Sequence, residues 1–111
     1  MTALEKLLTL SREREAKATK GPWSMYEDNY ATQVLENEHR RLICDWLKRP
    51  DAQFIAAART EVRALRSMLE RAVARLNDLG THGARQKAVA DLAIEEITRL
   101  AEEALKAMGE G

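Results

Sequence analysis

Arg59, Arg63 and Arg66 are the first residues that could do chemistry. Their spacing of four and three places them on one stripe of any helix that contains them. Arg66 has Glu70 one turn further on, whereas Arg59 and Arg63 have no acid three or four residues away. A guanidinium without a local carboxylate can grip a phosphate or a partner's carboxylate through paired hydrogen bonds. The competing reading is a solvated face, or pairing with the acidic residues near the C-terminal end.

Other chemical constellations are weaker. His39 and His82 have no metal-ligand spacing with each other or with Cys44, so no metal site is expected. Cys44 reads as a sheet residue packed against a helix, because a catalytic thiol would need a base that the sequence does not identify. There is no glycine-rich phosphate loop and no nucleophile elbow, and no cofactor is implied. Asp91, Glu95, Glu96, Glu102 and Glu103 offer paired carboxylates, but Arg99 and Lys106 lie one turn from several of them, the pattern of a solvated face. An enzyme is not expected.

These side chains need elements to hold them. Thr2 and Glu5 have capping-box spacing, and Leu4, Leu7, Leu8 and Leu10 give a first helix an apolar side. Gly21 and Pro22 are expected to stop that helix, the glycine taking a left-handed cap. Residues 23–47 carry aromatic and β-branched residues broken by "EDN" and "ENEH", which predicts two or three short antiparallel strands. Leu42, Cys44 and Trp46 are expected on one face of the last strand, with Arg41, Ile43 and Asp45 on the other. So small a sheet must lie on a helix to be stable.

Asp51, just after Pro50, is the expected N-cap of a long helix ending before Gly80. Ile55, Val62, Leu69 and Leu76 recur every seven residues, as do Ala58, Leu65, Ala72 and Leu79. They form an apolar seam that requires another helix. The loop "GTHG" leads to a last helix from about Ala84 to Met108, whose Ile94, Ile97, Ala101, Ala104 and Met108 supply a matching seam. Val89, Leu92 and Leu100 form a second apolar row, which a two-helix hairpin cannot also bury. The long helix is expected to project beyond the body, and the second row to meet another subunit. The expected fold is therefore α+β in one domain, residues 1–111: an N-terminal helix (1–20), a small antiparallel β-meander (23–47) and a long antiparallel helical hairpin (51–108) that oligomerises.

Composition narrows the function. Eighteen basic residues balance 18 acidic ones, which argues against a general nucleic-acid binder, since such proteins carry a basic excess. The single cysteine and the lack of a secretory-signal pattern point to the cytosol. No apolar run approaches the roughly 20 residues of a membrane span.

Residues 1–79 resemble the Ead-like early proteins of bacteriophages. The resemblance rests on Gly21, Pro22 and Trp23 after the first helix, and on Asp51, Ala52, Phe54, Ile55, Ala56, Ala58 and Arg59 opening the long one. Arg63 departs from the proline often found there, and lets the helix continue without a kink. The resemblance implies a phage accessory protein acting in the host cytoplasm, without a defined activity. Residues 80–108 are similar to the helical hairpin of phage sponge proteins, which sequester the cyclic nucleotide signals of CBASS and Thoeris immunity. The matching positions are Arg85, Ala90, Ile94, Glu95, Glu96, Ala101 and Ala104, while Leu92 and Leu100 replace the usual threonine and tryptophan. Together these imply a non-enzymatic anti-defence protein that sequesters an anionic cyclic nucleotide, its phosphates held by Arg59, Arg63 and Arg85 between hairpins of a homo-oligomer. The alternative is an anti-CRISPR-like protein–protein inhibitor of a host defence or regulatory complex, using the acidic last helix.

Overall fold

Thr2 and Glu5 start the first helix as their spacing requires. The Glu5 N–H donates to Thr2 Oγ1 at 3.1 Å and the Thr2 N–H to Glu5 Oε2 at 3.3 Å, so two donors that the helix start would otherwise leave unbonded find partners. A computed structural model describes residues 2–28 and 31–110 of the chain. It is α+β: α1 (Ala3–Lys17), β1 (Trp23–Glu27), β2 (Thr32–Glu36), β3 (Leu42–Leu47), α2 (Arg49–Leu79) and α3 (Ala84–Ala107). The chain divides into two compact units, one of Glu15–Leu65 and one of Met1–Arg14 with Arg66–Gly111.

In the first of these, the strands form an antiparallel sheet in the order β1-β2-β3. Val34 of the central strand is fully buried with Ala52 and Ala56 of α2, and Trp23, Met25, Ile43, Cys44, Leu47 and Ile55 pack around them. Two alanines one turn apart leave the helix surface flat enough for the sheet to approach, and Cys44 packs against this cluster of sheet and helix residues. Of the expected Glu27-Asp28-Asn29 break, Asn29 lies outside the described residues. The second break forms a turn around Glu36, whose carboxylate is buried and accepts the N–H groups of Glu38 at 2.8 Å and His39 at 2.7 Å.

Strand β3 departs from simple alternation. Val34 pairs with Cys44, but Thr32 pairs with Leu47 and Leu35 with Leu42, so β3 carries an extra residue on each side of Cys44. These bulges put Ile43, Cys44 and Leu47 against the core and turn Trp46 outward, at 77% exposure with φ of 57°. The expected shared face of Leu42, Cys44 and Trp46 is therefore not formed.

Two helix boundaries also differ from expectation. Helix α1 ends at Lys17, short of Gly21, and Gly21 does not adopt a positive φ. Helix α2 begins at Arg49, so Asp51 lies inside the first turn rather than at the cap. Pro50 fits there because a first-turn residue needs no N–H partner.

The other unit joins the start of α1 to the second half of α2 and to α3. Leu4, Ala90, Ala101 and Leu105 are buried, and Leu69, Val73, Leu76, Ile94, Ile97 and Ala104 are half-buried. Arg12 pairs with Glu70 at 2.8 Å, Arg66 donates to Ser11 Oγ at 3.2 Å, and Arg14 and Lys6 both reach Glu110 at 2.6 Å. The heptad seam is realised only in part. Leu69 and Leu76 turn inward, whereas Ala72 and Leu79 are exposed, as are Val62 and Leu65 nearer the start of the helix. Val73 takes an inward place because this stretch of α2 serves α1 as well as α3, and that broader face follows the 3.6-residue period instead of 3.5. The turn at Gly80–Gly83 is tied by Thr81 Oγ1 donating to Asp78 O at 2.7 Å. No helix among the described residues is long and apolar enough to cross a membrane.

Candidate functional site

The chain between α1 and β1 crosses the side of α2 that carries Arg59 and Arg63. Thr19 presents its carbonyl oxygen there, and Arg59 Nε donates to it at 3.1 Å while Trp23 Nε1 donates to the same oxygen at 3.2 Å. The Arg59 guanidinium lies over the Trp23 ring at 5.8 Å from its centroid, near the outer limit for cation–π attraction. Close passage explains Gly21. A Cβ at that position would stand 2.8 Å from Arg59 Cγ, so the glycine is there for space.

Glu15, at the end of α1, changes the reading of both arginines. Its Oε1 lies 3.6 Å from Arg59 Nη1 and 3.5 Å from Arg63 Nε. The absence of an acid one turn away in sequence therefore does not leave them unpaired, because the fold brings one from 44 and 48 positions earlier. The two are unequal partners. The Arg59 side chain is 13% exposed and spans a carbonyl, a ring and a carboxylate, whereas the Arg63 side chain is 72% exposed. Arg59 is a structural cation with one edge on the surface, and Arg63 is held only loosely.

Lys20, Gly21, Pro22, Arg59, Thr60 and Arg63 line an open cleft of about 280 Å³. Three cations face one carboxylate around it, so the local balance is positive although the chain as a whole is neutral. The volume falls below the usual range for enclosing a drug-sized ligand, about 300–1,000 Å³. Arg85 does not belong to this cleft. It lies in the other unit, exposed in the first turn of α3, and makes no ion pair among the described residues. Lys20 and Glu15 were missed from sequence, because nothing local to either marks it as a neighbour of Arg59.

The remaining candidates resolve as ordinary structure. Arg99 binds both Glu96 and Glu103, and Lys87 binds Asp91 at 2.7 Å. The hydrogen bonds from Arg99 hold the Glu96 carboxyl below the usual glutamate range. His82 lies 3.4 Å from Asp78. Glu36, Glu38 and His39 bring ligand-type atoms within 4.8 Å of one another, but both Glu36 oxygens already accept backbone N–H groups of the turn. No protein-family model, curated protein or solved structure matches the chain.

Proposed function

We propose that this chain is a non-enzymatic binding protein that captures a phosphate-bearing nucleotide, and that it serves a phage in the host cytoplasm by sequestering a cyclic nucleotide signal of host immunity. The observation that carries the binding reading is the convergence of Lys20, Arg59 and Arg63 on one open cleft of about 280 Å³, roomy enough to admit a phosphate group. The resemblances to phage early proteins and to nucleotide sponges supply the biological setting. Arg59 is braced by Thr19 and Trp23, so its outer edge is presented without a large loss of side-chain freedom on binding. Arg63 moves from Glu15 toward the ligand, and Lys20 adds a point charge. Capture alone accounts for the three cations of the cleft.

The test is a thermal-shift and calorimetric titration with cyclic di- and trinucleotides. A ligand present at a hundred times its dissociation constant raises stability by about 2.7 kcal/mol. Binding should weaken as salt rises, and Arg63→Ala or Lys20→Ala should reduce affinity about tenfold or more with the fold intact. Equal binding by wild type and a Lys20→Ala/Arg63→Ala double variant would remove the cleft from the reading.

A second reading has its own observation. Trp46 and Phe54 are 77% and 73% exposed, and large aromatics are the commonest anchors of protein interfaces. A protein–protein inhibitor would use them, and Phe54→Ala would then abolish inhibition while Arg63→Ala would not.

A further inference from the structure

Glu15 lies in the last turn of α1, where the helix dipole disfavours a carboxylate. Its Oε1 is 3.6 Å from Arg59 Nη1 and 3.5 Å from Arg63 Nε, and these cations offset that local cost. Both separations exceed the roughly 2.7–2.9 Å of a charge-assisted hydrogen bond. The carboxylate is therefore shared by two guanidiniums and saturates neither.

The arginines differ in what remains to them without Glu15. Arg59 keeps the Thr19 carbonyl and the Trp23 ring. Arg63 keeps nothing, because Glu15 is its side chain's one partner among the described residues. Lys20, the third cation of the cleft, makes no ion pair among the described residues. An anion entering the cleft thus meets a braced arginine, a lysine without a counter-ion, and an arginine that already holds a carboxylate.

We infer that Glu15 is a built-in competitor for the anion cleft: its carboxylate occupies Arg63 in the free protein, and an incoming phosphate must displace it. This inference rests on the anion-binding reading of the cleft. A carboxylate ligand offers Arg63 only what Glu15 already supplies, so that exchange gains little. A phosphate has further oxygens for Lys20 and the outer edge of Arg59, and its exchange is favourable. Glu15 in this way selects phosphates over carboxylates. It also sets the affinity. A unit negative charge beside the bound phosphate weakens binding by about tenfold, between the limits for a pair screened by bulk water and one at a protein surface.

The test follows the backbone amides of Gly21 and Thr60, which line the cleft, by NMR as inorganic phosphate is added to the full chain. Glu15→Gln keeps the size of the side chain and a hydrogen-bond acceptor but removes the charge. It should bind phosphate about tenfold more tightly than wild type, and should admit acetate, which wild type should not. In wild type the Glu15 carboxyl carbon should shift with the same midpoint as the two amides, a readout of displacement that needs no substitution. Equal phosphate midpoints in the two proteins overturn the inference and leave the cleft reading standing, as does a Glu15 signal that stays still while the amides titrate. Weaker binding by Glu15→Gln overturns it too, since the carboxylate would then brace the site instead of competing for it. Acetate that binds wild type as tightly as phosphate overturns the selection. Amides that move in neither protein overturn the cleft reading, and this inference with it.

Discussion

Replacing Arg59 with alanine separates a structural cation from a surface one. Arg59 makes one charge-assisted hydrogen bond to Thr19 O, stands over the Trp23 ring and shares Glu15 with Arg63. A hydrogen bond to a charged group contributes about 1.5–3 kcal/mol, and a partly buried cation–π contact about 0.5–2 kcal/mol. The pieces share one side chain and do not simply add, so a loss of about 2–4 kcal/mol is expected. At roughly 5 °C per kcal/mol for a chain of this size, the melting point should fall by about 10–20 °C. Arg63→Ala removes a side chain that is 72% exposed and should cost no more than about 0.5 kcal/mol. The assay is urea unfolding followed by tryptophan fluorescence, with Trp23 reporting on the contact itself. If Arg59→Ala unfolds within about 0.5 kcal/mol of wild type, the bracing described for the cleft is wrong. If Arg63→Ala proves as costly as Arg59→Ala, the distinction between the two arginines fails.

Three further outcomes are expected. Trp46→Gly should be neutral or stabilising by up to about 1 kcal/mol in thermal melts, because the residue holds a φ of 57° and loses little packing when removed; a clear loss would mean the indole is anchored. Burial pushes the Glu36 carboxyl upward, but the N–H groups of His39 and Glu38, with the charges of His39 and Arg41, outweigh it, and the pKa is lowered from its ordinary value. The carboxylate's stabilisation is therefore present above the unfolded glutamate pKa and is lost as pH falls through the lowered folded value. Melting points recorded down the acid limb should fall less steeply for Glu36→Gln than for wild type, and parallel curves would contradict this. Arg85→Glu should raise stability by about 0.3–1 kcal/mol in denaturant titrations, because a cation in the first turn of α3 opposes the helix dipole; no gain would show that Arg85 has a compensating partner.

Local patterns in the sequence were legible, and long-range neighbours were not. The capping box of Thr2 and Glu5 and an antiparallel meander of two or three strands, of which three form, follow from spacing alone, as does the helix pair turning at Gly80–Gly83. Strand β3 misled because "LICDWL" has apolar residues at both parities, and that broken alternation is itself the mark of a bulge. The heptads misled because a seven-residue repeat fits a two-helix seam, while Val73 answers to α1 and α3 together. At the cleft, Arg59 and Arg63 could be proposed from their stripe, but Glu15 and Lys20 could not. Their proximity depends on how the chain passes from α1 to β1, and no helical period encodes that path.

The two bulges of β3 also bear on how this protein would aggregate. A three-stranded sheet has two outer strands, and each can accept a further strand from another molecule. On the β3 side, misaligned pairing and the positive φ at Trp46 deny an incoming strand a continuous ladder. The β1 side has no such guard, since Trp23–Glu27 pair with β2 in unbroken register. Strand addition in fibrils or domain-swapped species should therefore proceed from one border only. A single lysine at Ser24 or Tyr26, both outward-facing, would act as a gatekeeper there without disturbing the core.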